Sequence, residues 1–318
     1  MAPGDWRHAK VLLLHQLQQW ANQVDEVIVT IDEHRSEGRF SRNWEEGRQR
    51  IRATVEEALE PYSHAHWVSV DYSETTKEKL AKRFFGGSSM PNKDYRGGPF
   101  YSYFYGLGEA KYDLVFHTDS DIFYGGGSQN WMAEATELLV ENTDLLFCSP
   151  LPGPPTKDGH LTTQESKFCD LAPNAHRFST MSTRLFLTDR SRFTKRLCPL
   201  PLPEPNLRNR IKALVEGNPP YKLPEDILSN SMLSESMFRV DFLGSSPGMW
   251  SLHPPYRTDE FYSSLPHLIS QVENGNVPES QKGKYDMDDS MVDWSPARKA
   301  MSRNRWWQRL WRRMLGHV

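Results

Sequence analysis

The sequence is short of several things, and each shortage narrows what the protein can be. Its 318 residues contain three cysteines, Cys148, Cys169 and Cys198, widely spaced and without a CxxC. That excludes a disulfide scaffold, argues against a thiolate zinc cluster and fits a reducing compartment. Long apolar runs are missing, so no helix is expected to span a bilayer, and the opening MAPGDWRHAK lacks the apolar core of a signal peptide. An excess of either charge is missing too: 38 Lys and Arg face 41 Asp and Glu, a net charge of -3. Global basicity therefore offers nothing to a nucleic-acid partner. The expectation is a cytoplasmic protein without a nucleic-acid partner. Aromatic residues, by contrast, are plentiful, with 15 Phe, 12 Tyr and 10 Trp. A chain of this length and apolar content can bury a substantial core and does not read as disordered.

Hydrophobic spacing alternates between helix and strand along the first half. Leu14, Leu17, Ala21 and Val24 fall on one face of a helix expected over 11–24. The β-branched run Val27 to Ile31 reads as a strand buried on both faces. Helical spacing returns over 43–60, 74–85, 100–111 and 130–141, with strands expected at 67–70, 114–118 and 145–148 between them. Strands alternating with helices imply βαβ units, hence an α/β fold with a mainly parallel sheet flanked by helices. Further on, 182–187 and 238–242 read as strands and 226–237 as a helix, with proline-rich loops at 149–160 and 198–206. The pattern weakens after 260, and 279–293 carries five acids, among them Asp286 and Asp288, which read as a solvated run.

In an open α/β sheet, ligands bind beyond the carboxyl ends of the strands. Three expected strands end at an aspartate there: Asp32, Asp71 and Asp119. Asp is also an ordinary turn residue, so each alone proves little. The sharpest segment is HTDSDIFYGGGS, in which Asp119 and Asp121 follow a strand at i, i+2. Two carboxylates so placed suit one hard cation, and Gly125, Gly126 and Gly127 would let the backbone approach a ligand closely. His117, Trp131, Trp250 and Cys148 read as packed core residues.

With VIVTID, the pair Lys93 and Arg96, HTDSD, Pro224-Glu225-Asp226 and His253 of WSLHPPYR in this order, the chain resembles the family 2-like glycosyltransferases of the GT-A fold, over about residues 11 to 260. The resemblance implies a metal-dependent, inverting transfer of a sugar from a nucleotide-diphosphate donor to a hydroxyl acceptor. It implies that Asp32, Glu33 and Asp71 contact the nucleotide, with Lys93, Arg96, Ser120 and Glu225 completing the donor-side set. Arginine suits that task because its planar fork grips phosphate oxygens in pairs. Asp119, Asp121 and His253 would hold Mn²⁺ or Mg²⁺ against the diphosphate. Asp226 would be the general base, although Pro-Glu-Asp is also a normal first helical turn. The resemblance also implies a strand before the first helix, which MAPGDWRHAK does not supply; the sheet is expected to lack it.

The organisation expected is therefore a GT-A-like domain over 1–260, an acidic, loop-rich extension over 261–297 and a basic amphipathic helix over 298–318. That last stretch holds seven basic residues and no acid, with Trp306, Trp307 and Trp311 on its apolar face. Such a helix suits an anionic membrane surface, which would make the protein peripheral on the inner face of the membrane and its acceptor, an unidentified glycan, lipid or protein, membrane-associated. Two other readings compete: an inactive GT-A-like scaffold that docks on membranes, and a nucleotidyltransferase that attacks a nucleoside triphosphate.

Overall fold

The computed structural model describes residues 1–35, 43–87 and 89–302. A single turn of 3-10 helix, Pro3–Asp5, leads into α1 (Trp6–Trp20). Ala9, Leu12, Leu13, Gln16, Leu17 and Trp20 are its buried residues along with two histidines. The six residues named cover an arc of about 140° at helical spacing, with the histidines beside it. Leu14, expected on the buried face, lies outside that arc and is 41% exposed. β1 (Val27–Ile31) and β2 (Ala65–Ser69) pair in parallel around α2 (Trp44–Leu59). Only alternate residues of β1 are fully buried, so the strand is not covered on both faces as expected.

α3 (Glu74–Phe85) and the aromatic α4 (Tyr101–Glu109) follow, then β3 (Leu114–Thr118), β4 (Phe123–Gly125), α5 (Trp131–Glu141) and β5 (Leu145–Pro152). The second half adds β6 (Lys167–Cys169), β7 (Ala175–Phe178), β8 (Leu185–Asp189), α6 (Arg190–Leu197), α7 (Leu207–Glu216), α8 (Pro224–Ser234), β9 (Phe238–Phe242), β10 (Trp250–Leu252), α9 (Asp259–Glu273) and α10 (Ser295–Ser302). The principal sheet runs β3-β8-β5-β9-β7-β6, with β10 joining β5 to β4.

This is an α/β fold with a mixed sheet flanked by helices, and the expected parallel majority is corrected. β1–β2, β5–β9 and β5–β10 are parallel, whereas β3–β8, β5–β8, β6–β7, β7–β9 and β4–β10 are antiparallel. The reason lies in the connections. β6–β7 and β4 are short strands joined by loops rather than crossover helices, and parallel neighbours need a crossover. β1–β2 forms a sheet of its own among the described residues. Residues 1–5 form no strand; Pro3–Asp5 is a turn of 3-10 helix. Instead the Met1 nitrogen donates to the Thr30 carbonyl at 2.7 Å, and Asp32 N–H donates to Met1 O at 2.7 Å.

Three apolar clusters hold the chain together: one around α1, β1, α2 and α5, one around α3, α4, α6 and α8, and one around β4, β10 and α9. The third takes in Phe261, Leu265, Leu268 and Val272 of α9, and Met287, Val292 and Trp294 beyond it. The stretch 261–297, expected to be loop-rich, therefore carries a long amphipathic helix that packs on the same core. Its apolar residues at three- and four-residue spacing are the physical reason. The basic helix expected over 298–318 lies outside the described residues beyond 302.

Candidate functional site

The turn after β3 is built from below by α1. The buried Gln16 amide donates to Asp119 O at 3.0 Å and to Ile122 O at 2.8 Å, while Asp119 N–H donates to Arg184 O at 2.7 Å. His8 Nε2 lies 3.0 Å from Ser120 Oγ. His15 Nε2 accepts from Tyr124 N–H at 3.0 Å, so the proton sits on Nδ1, 2.7 Å from Glu273 Oε1. Burial pulls the pKa of both histidines down, which favours these neutral, hydrogen-bonded forms. Asp119 and Asp121 are thus presented by a turn held by three side chains of one helix, Gln16 and His15 through its backbone and His8 through the Ser120 hydroxyl.

Asp121 is 1% exposed. Its Oδ2 meets the Arg257 guanidinium and lies 3.7 Å from His253 Nε2, while Oδ1 is buried without a partner. His253 Nδ1 lies 2.7 Å from Asp286 Oδ1, and its ring stacks on Tyr285 at 5.7 Å. Asp119 is half-exposed, with Oδ1 3.5 Å from His117 Nε2. His117 also packs against Tyr103 and Phe186, in keeping with the packed histidine expected. Asp286 is solvent-exposed, as expected of that run, but it is also tied to the site, because β10 carries His253 to it. Asp288, its companion, pairs with Lys284 at 2.8 Å.

Arg184 connects this group to the first turn of α8. Burial works against its charge, but Tyr285, Asp286, Glu225 and Asp119 together outweigh it and raise its pKa. Glu225 is half-buried, and burial pushes its carboxyl up despite Arg184, Arg239 and Arg96. Asp226, next to it, is exposed. Both line an open depression with Lys222, Thr180 and Asn230. The loop holding Lys93 and Arg96 borders that region, since Tyr95 N–H donates to Tyr221 O at 2.9 Å. Asp94 shapes the loop by accepting from Arg96 N–H at 2.7 Å and Gly98 N–H at 3.0 Å. Arg96 is exposed and Lys93 half-buried.

The acids after β1 and β2 form a second group. Asp32 accepts from Tyr72 OH at 2.9 Å, and Tyr72 stands between the rings of His34 and Tyr101, each 4.7 Å away. Glu33 is tied to Arg52 and to Ser69 Oγ; burial works upward on its pKa, and these bonds bring it below the usual value. Asp71 accepts from Thr76 Oγ1 and from Ser73 N–H and Oγ at the start of α3, and these bonds hold its carboxyl low. Glu33 and Asp71 are therefore engaged within the chain, and Asp32 is the acid beside the aromatic stack. No hydrogen bond or ion pair joins this group to Asp119 or Asp121 among the described residues.

Two further expectations shift. The Ser120 hydroxyl is tied to His8 rather than left free. The glycine tract serves packing: a Cβ on Gly125 would stand 2.1 Å from the Trp250 ring, and one on Gly126 would stand 2.3 Å from Gly248 O. Gly126 also has a φ of 92°, which L side chains rarely adopt. Trp131, Trp250 and Cys148 are buried, as expected. Arg257, Arg184, Tyr285 and Asp286 were not singled out by sequence. Arg257 lies four residues after His253, close enough to be sought there, whereas Asp286 is invisible among its acidic neighbours.

Among the described residues, no three His, Cys, Asp or Glu side chains form a ready-made metal site. The donors nonetheless suit a divalent cation: a buried carboxylate oxygen without a partner, a second carboxylate two residues away, and an imidazole whose other nitrogen faces an acid. No protein-family model matches the chain, and no characterised protein matches it in sequence.

Proposed function

We propose that the protein transfers a sugar from a nucleotide-diphosphate donor to a hydroxyl acceptor, with Mn²⁺ or Mg²⁺ held by Asp119, Asp121 and His253. The observation that carries this reading is the buried, unpartnered Oδ1 of Asp121 beside His253. When bound, the cation neutralises charge on the departing diphosphate. Arg257 releases Asp121 and, with Arg96 and Lys93, meets phosphate oxygens. Asp32, Tyr72 and His34 offer a carboxylate and an aromatic face suited to a ribose and base.

The first turn of α8 supplies the base. The family resemblance implies Asp226 in that role; burial favours Glu225 as the proton acceptor, with Asp226 orienting the acceptor hydroxyl at the mouth of the depression. A carboxylate with a raised pKa takes a proton more readily near neutrality. The test is to incubate the protein with Mn²⁺ and a panel of nucleotide sugars and to measure nucleoside diphosphate release. One nucleotide should be released, and Asp119→Asn should stop it. Release of pyrophosphate from nucleoside triphosphates instead would replace this reading with nucleotidyl transfer.

A further inference from the structure

α7 carries its apolar residues on the wrong side for a core helix. Ala213 is its one buried residue, whereas Leu207, Ile211 and Leu214 are 70%, 46% and 81% exposed. These three fall within an arc of about 60°, with Arg210 on one side and Arg208 on the other. Arg210 pairs with Glu204 at 3.0 Å, and Arg208 has no partner among the described residues. An apolar strip of leucine and isoleucine edged by arginines is the pattern of a helix lying in a lipid interface. Isolated exposed apolar residues are ordinary, but three on one strip of one helix are not.

We infer that α7 seats the protein on an anionic lipid bilayer, its leucines entering the acyl boundary and its arginines meeting lipid phosphates. This strip, at residues 207–214, is distinct in sequence from the basic segment beyond residue 302. Arg208, unpaired among the described residues at one edge of the strip, carries positive charge that an anionic headgroup layer would match, and Arg210 at the other edge can exchange its exposed Glu204 partner for a lipid phosphate.

The placement of α7 gives the docking a consequence. Lys212 lies 5.9 Å from the Tyr95 ring, and Asn218 Nδ2 donates to Tyr95 O at 3.5 Å. The helix therefore adjoins the loop carrying Arg96 and the approach to Glu225 and Asp226. Resting on the proposed transferase activity, this makes the acceptor a hydroxyl carried at the membrane surface.

Full-length protein should co-sediment with phosphatidylcholine vesicles containing about a third phosphatidylglycerol, and bind pure phosphatidylcholine more weakly. Leu207→Glu with Leu214→Glu should weaken that binding by about tenfold or more. Both side chains are exposed, so far-ultraviolet circular dichroism should be unchanged. Val140→Glu, at a 70% exposed position on α5, serves as the control and should bind as the parent does. Binding that is unaffected by the double change, or equally lost in Val140→Glu, overturns the proposal. So does concentration-dependent self-association that the double change abolishes, since the strip would then be covered by a second copy. Nucleotide stabilisation of the double variant separates this result from any failure of the transferase reading.

Discussion

The imidazole of His253 and the carboxylate of Asp286 meet at 2.7 Å across 33 residues of chain, joining the end of β10 to the segment that follows α9. Donation from Nδ1 to Asp286 leaves Nε2 as a lone-pair donor facing Asp121. An acid behind a ligating histidine fixes its tautomer and orientation. Asp286→Asn should therefore lower Mn²⁺ affinity by about 10- to 100-fold, measured by calorimetric titration, with little change in fold. Partial burial works upward on the Asp286 pKa, but His253 and Arg184 hold it below the usual value. The pair's contribution to stability is thus present above the ordinary carboxylate pKa and is lost as pH falls through the lower folded value.

Gln16 bridges two carbonyls of the Asp119 turn, and nothing else on α1 can replace it there. Gln16→Leu should leave both acceptors short of a buried donor and cost about 1–3 kcal/mol, read as a lower denaturation midpoint. Nucleotide affinity should fall with it, because the turn presenting both acids loses its support.

Arg239 and Asp241 form an ion pair at 2.8 Å within β9, each almost wholly buried. Burial pushes the Asp241 carboxyl up to about 6 against the pull of Arg239. The folded state then keeps a proton that the unfolded chain has already released, so this site's contribution to stability is fullest in acid and falls as pH rises from about 4 to about 6. Arg239→Met should destabilise by about 3–5 kcal/mol by leaving a buried charge unpaired. Arg239→Met combined with Asp241→Leu should recover most of that loss and flatten the pH dependence in chemical denaturation.

Glu225→Gln should reduce transfer by about 10²- to 10⁴-fold while nucleotide binding stays intact, as expected for a group that acts on the acceptor proton. A steady-state assay over a pH series checks it: the parent should show a rising acid limb, and that limb should vanish in the variant. An unchanged limb would return the base role to Asp226.

Much of the first half was legible in the sequence because its periodicity is strong. The expected helix over 74–85 coincides with α3, and the strands at 27–31, 114–118 and 238–242 coincide with β1, β3 and β9. β4, β6 and β10 were not foreseen, since three residues are too few to show alternation. The turn of Asp119 and Asp121 could be found by its position after a strand. Its neighbours could not, because Arg257, Asp286 and Arg184 reach it through pairings distant in sequence. Charge density told only part of the story at 279–293, where acids that include the exposed Asp286 and Asp289 also make specific bonds to His253, Lys284 and Arg298.

The central claim is a cation-dependent nucleotide site at Asp121. The most direct measurement is thermal unfolding of the full-length protein with UDP, GDP, ADP or CDP, each with and without Mn²⁺. The account predicts that one nucleotide raises the midpoint only when Mn²⁺ is present, and that Asp121→Asn abolishes the rise. A folded parent protein whose midpoint moves with no nucleotide, or moves equally without the metal and in Asp121→Asn, would contradict it.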